Sequence, residues 1–196
     1  MMNEGNNSDE WRGSPWRIAV WGVAALLLLL PLVAMQFTGE VVWGATDFIV
    51  FGAMLATACG TFELAARMTG NIVYRAAVGV AVAAAFLLVW VNLAVGFLGS
   101  ERNPANLMFG GVLAIAIVGS IIARFQPAGM AKAMYATAAA QGLVGVIGLA
   151  AGLGSAGYDG IYEVVMGTSL FAALWLASAW LFGKAGANSS LAAAAN

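Results

Sequence analysis

WRIAVWGVAALLLLLPLVAMQF, residues 16–37, decides how the whole chain is read. A single charged residue, Arg17, opens a run of about 20 apolar residues, the length an α-helix needs to cross about 30 Å of hydrocarbon. A cleaved leader would have a shorter apolar core, about 7–15 residues, followed by a small-residue cleavage site. Neither fits, so the segment reads as a retained transmembrane helix, expected to kink at Pro31. Five further stretches meet the same length criterion, near residues 46–66, 74–98, 104–125, 131–152 and 160–182. The expected fold is therefore all-α: a polytopic membrane protein with six transmembrane helices over residues 14–184. Residues 1–13 read as a disordered cytoplasmic tail and 185–196 as a disordered C-terminal tail, since both lack apolar periodicity.

Composition supports a lipid environment. The chain is 62% hydrophobic and 9% charged, with a mean hydropathy of +0.90. Soluble domains carry about 25% charged residues because their surface must be solvated. The net charge of −1 and the lack of clustered Lys and Arg exclude nucleic acid as a partner. Histidine is absent and Cys59 is the sole cysteine. His-based acid–base catalysis, Cys–His nucleophiles, haem with His ligands and most zinc or copper sites therefore lose a required member. Neither a cofactor, a metal site nor an enzymatic activity is expected.

The positive charges give an orientation. Arg12, Arg17, Arg67, Arg75, Arg124, Lys132 and Lys184 fall in the N-terminal segment, the second and fourth connections and the C-terminal segment. Only Arg102, in the third connection, falls on the other side. Basic residues are retained on the cytoplasmic side, so both termini are expected there. The compact, Ala- and Gly-rich style of the chain points to a bacterial inner membrane. Trp16, Tyr74, Tyr135 and Trp180 would form one interfacial belt, and Trp43, Trp90, Tyr158 and Tyr162 the other. Ser14-Pro15 and Asn103-Pro104 read as N-caps with Pro at the first helical position, where its missing N–H costs nothing. Thr46-Asp47 and Asp159-Gly160 read as the starts of the second and sixth helices.

Arg17, Arg75 and Lys132 each open an outward-going helix, 58 and 57 residues apart. FGAML (51–55), FGGVL (109–113) and MGTSL (166–170) occupy the returning helices at the same spacings. This reads as three helical hairpins, 14–70, 71–128 and 129–184. Gly52, Gly110 and Gly167 would be small residues at close helix contacts, joined by Gly145, Gly148 and Gly152 on the fifth helix. The triple-hairpin pattern resembles that of HdeD-like acid-resistance membrane proteins. That resemblance implies a stress-linked inner-membrane role with no established chemistry. The stretch from Trp90 to Asn106 falls outside that family's pattern.

Asn103-Pro104-Ala105 invites comparison with aquaporins, but those carry two such motifs on re-entrant half-helices. Here there is one, and residues 99–103 look too few to dip into the membrane and return. Glu63 is the carboxylate expected at membrane depth, where ionisable groups are costly and often functional. Arg67, four residues on, gives it a structural alternative as a helix ion pair. Gln141 lies near the centre of the fifth helix, sharing a face with Thr137 and the three glycines. It would either line a polar path or bond across helices. Glu40, Asp47, Glu101, Asp159 and Glu163 collect on the outer side, either as a cation vestibule or as the charges left once basic residues are excluded. Asn92 is expected to bond to the third connection, and Cys59 to serve packing. Two functions follow. One is a non-catalytic, accessory or stress-linked helical bundle whose partners are the bilayer and a second copy or another membrane protein. The alternative is a small transporter or channel for protons, cations or small solutes.

Overall fold

The computed structural model describes residues 15–155 and 158–194. The N-terminal segment expected as a tail, with Arg12 and Ser14, lies outside the described residues. Among those described, the chain is all-helical. Its elements are α1 (Pro15–Phe37), α2 (Ala45–Met68), α3 (Ile72–Ala94), a 3-10 turn (Pro104–Leu107), α4 (Met108–Ile122), α5 (Pro127–Ala150) and α6 (Tyr158–Ala194). Six spans among them are long and apolar enough to cross a membrane, the fourth comprising the 3-10 turn together with α4.

The chain divides into two compact units, residues 1–64 and 65–196. In the first, α1 lies antiparallel to α2. Trp16 meets Phe62 edge-on at 5.9 Å, and Leu28 rests 3.8 Å from where a Cβ on Gly52 would lie. Trp43, just before α2, stacks edge-on against Phe48 and Phe51. Pro31 sits inside an α1 that continues through it. Asp47 lies in the first turn of α2 and accepts from the Gly44 N–H at 2.8 Å, so it closes the helix start as expected.

In the second unit α5 lies between α4 and α6, and α6 also packs on α3. Small residues allow the close approach: Ala133 faces Gly119, Ala123 faces Gly129, and Thr168 faces Gly145. The Ser178 hydroxyl donates to the Ala77 carbonyl at 2.9 Å, tying α6 to α3. Asn71 caps α3, its Oδ1 accepting from the N–H groups of Val73 and Tyr74. The α4–α5 turn takes two left-handed residues, Arg124 and Phe125. The Tyr74 hydroxyl holds it, donating to the Phe125 carbonyl at 2.7 Å.

Two boundaries differ from the sequence expectation. The segment expected as a disordered C-terminal tail is helical through Ala194. Alanine is the strongest helix former, and the extension is anchored: Ala185 is buried, and its carbonyl accepts from Asn71 Nδ2 at 3.4 Å. At the other end of the unit, α3 stops at Ala94 rather than near Leu98. The residues released form the connection described next.

Candidate functional site

The α3–α4 connection folds back into the second unit over more residues than 99–103. The extra length comes from Val95 to Leu98. Leu98 is fully buried and Phe97 is 7% exposed. The Phe97 ring lies 4.7 Å from Phe109 and 5.7 Å from Phe171, over Gly167. Leu98 occupies the space beside Gly148, 2.8 Å from where its Cβ would be. Two asparagines fix this insertion. Asn106 Oδ1 accepts from the N–H groups of Phe97 and Leu98 at 3.1 and 2.8 Å. Asn103 Nδ2 donates to the Leu98 carbonyl at 2.9 Å, while its Oδ1 caps the following turn through the Ala105 N–H. The Asn-Pro-Ala motif thus has a local structural role. Asn92, expected to bond to this connection, instead donates to the Leu88 carbonyl of its own helix.

Below the insertion lies Gln141. It is fully buried, with Thr137 and Ser178. Thr137 donates to the Ala133 carbonyl. The interhelical bond expected of Gln141 is not formed among the described residues, where neither its Oε1 nor its Nε2 has a partner.

In the first unit Glu63 is 9% exposed. Arg17 and Trp21, one turn apart on α1, both reach it. The guanidinium lies 2.5 Å from Oε1, and the indole N–H donates to Oε2 at 2.9 Å. Both carboxylate oxygens are engaged, so the arrangement is an ion-paired brace between α1 and α2. Arg67, the partner that the four-residue spacing suggests, sits in the last turn of α2; no local spacing marks Arg17 or Trp21. The available signal was that an antiparallel hairpin brings the start of α1 beside the end of α2. Cys59, one turn before Glu63, joins Leu55 and the α1 residues Ala19, Val20, Val23, Ala24 and Leu27 around an open apolar groove.

Glu163 accepts from the Ser155 hydroxyl at 2.6 Å, Glu101 stands 3.9 Å from Arg102, and Asp159 lies in the first turn of α6. No three Cys, Asp or Glu residues among those described could jointly hold a metal ion. Of the packing glycines, Gly145 and Gly148 admit side chains from α6 and the α3–α4 connection, and Gly167 admits Phe97. Among the described residues, no other side chain approaches Gly110 or Gly152, the latter taking a left-handed turn after α5.

These features define a multi-pass helical membrane protein by length, composition and fold. The chain matches no protein-family model, and no curated protein or solved structure matches it significantly.

Proposed function

We propose that this chain is a multi-pass protein of the bacterial inner membrane, with both termini cytoplasmic, that performs no catalytic chemistry. It acts as an accessory or stress-linked helical bundle, in contact with lipid and with a second copy or another membrane protein. The observation that carries this reading is the engagement of Glu63. A proton or cation carrier needs a carboxylate oxygen free to gain and lose its cargo along a path, and here both oxygens are held by Arg17 and Trp21. The inserted Phe97 and Leu98 also fill the space over Gly167 and Gly148 that an outward path along α5 and α6 would use. The orientation rests on seven of the eight basic residues falling on one side. The three-hairpin repeat is proposed with it, since Gly52, Gly110 and Gly167 recur at fixed spacing.

Proton and potassium flux into proteoliposomes tests the reading. Wild type and Glu63→Gln are both expected to match protein-free vesicles. A wild-type flux above that background which Glu63→Gln abolishes would replace this proposal with the transporter reading.

A further inference from the structure

Four side-chain atoms on α5 and α6 lack a hydrogen-bond partner among the described residues. They are Oε1 and Nε2 of Gln141, Oγ1 of Thr168 and Nε1 of Trp175. Gln141 is fully buried and Trp175 is 1% exposed. Gly145 faces Thr168 and Gly148 faces Val164, which fixes the register of the two antiparallel helices. Continued by one turn along α5, that register sets Gln141 level with residues 171–172 of α6. Thr168 and Trp175 then lie about one turn to either side of it, on the facing helix.

The chemistry of the four atoms selects the occupant. The indole and amide nitrogens only donate, the amide oxygen only accepts, and the threonine hydroxyl does both. No Asp, Glu, Lys or Arg occurs on α5 from residue 133 to 150 or on α6 from residue 164 to 183. An ion would be buried there without a counter-charge, which is strongly disfavoured in a membrane interior. Small neutral molecules that both donate and accept suit these atoms, and water is the smallest. Buried waters typically bind where two to four polar groups are otherwise unsatisfied.

The geometry points to an internal hydration site formed by Gln141, Thr168 and Trp175, closed toward the α3–α4 connection by Phe97 and Leu98. Phe97 stands over Gly167, the neighbour of Thr168, and contacts Phe171. Leu98 lies beside Gly148, two turns from Gln141 on the same face of α5. Together they cap the site on that side and slow exchange of its water with bulk.

The test uses the full chain in lipid nanodiscs, 15N-labelled at the tryptophan indoles, with the Trp175 signal assigned by its loss in Trp175→Phe. A water cross-peak of the sign given by a long-lived bound molecule is expected at the Trp175 indole N–H. It should fall at least fivefold in Gln141→Leu, and in Thr168→Val should Gln141→Leu fail to fold. Phe97→Ala should keep the peak while exchanging the bound water with bulk at least tenfold faster. A wild-type indole without the cross-peak, or a cross-peak unchanged in the folded variants, overturns the site. An exchange rate unaffected by Phe97→Ala overturns the closure.

Discussion

Gly96→Ala is expected to be among the most damaging single-methyl changes in this protein, lowering the stability of the second unit by roughly 3 kcal/mol or more. Gly96 takes a φ of +73°, a conformation that costs other residues about 1–2 kcal/mol. Its Cβ would also collide with the Ser100 carbonyl group and the Glu101 nitrogen. These are backbone atoms and cannot rotate aside as a side chain does. The turn would have to open, drawing Phe97 and the fully buried Leu98 out of their places among α4, α5 and α6. Thermal unfolding in detergent, read by circular dichroism, checks this. Gly110→Ala is the control: among the described residues no other side chain approaches Gly110, and the exchange raises helix propensity by up to about 1 kcal/mol. Gly96→Ala unfolding with wild type would mean that the inserted connection does not hold the unit together.

Arg17→Met is expected to weaken the first unit by about 2–3 kcal/mol, less than the roughly 3–5 kcal/mol for breaking a fully buried ion pair. The reduction follows from exposure: the Arg17 side chain is 40% exposed, whereas that of Glu63 is 11%. Methionine keeps the apolar stem and removes the charge, stripping the guanidinium from a carboxylate that remains largely out of water. A double-mutant cycle with Glu63→Gln isolates the pair, because neutralising the carboxylate removes most of the penalty for losing its partner. A coupling of at least about 1 kcal/mol is expected. Additive effects would show that the brace contributes nothing beyond its separate side chains.

The helices were legible because a bilayer imposes a length and forbids exposed backbone polar groups. Apolar run length therefore located all six spans to within a few residues at most ends. Local chemistry was legible as well, as at Asn103 and Asp47, where a cap interacts with residues beside it. Longer-range relations were not. The partners of Glu63 on α1 follow from how two helices pair, and nothing near position 63 in the sequence marks Arg17 or Trp21. The end of α3 was misplaced because Val95 to Leu98 are as apolar as the helix before them. Hydropathy cannot distinguish a helix from a buried turn, and Gly96 with Gly99 was the only sign. The glycines were identified as close-contact residues, but the nearest side chains at Gly148 and Gly167 belong to the α3–α4 connection. The C-terminal helix was missed because polar composition after Phe182 outweighed the helix propensity of alanine and the docking of Ala185.

Whether six membrane-crossing helices lie with their basic ends inward can be tested by thiol accessibility. In a Cys59→Ala background, Arg102→Cys and Ala128→Cys place single thiols at exposed positions in the α3–α4 connection and at the start of α5. An impermeant maleimide added to intact spheroplasts of an expressing bacterium should label position 102 and leave 128 unlabelled until the cells are lysed. Labelling of 128 with 102 protected would invert the topology, and equal labelling of both before lysis would contradict a membrane-spanning arrangement.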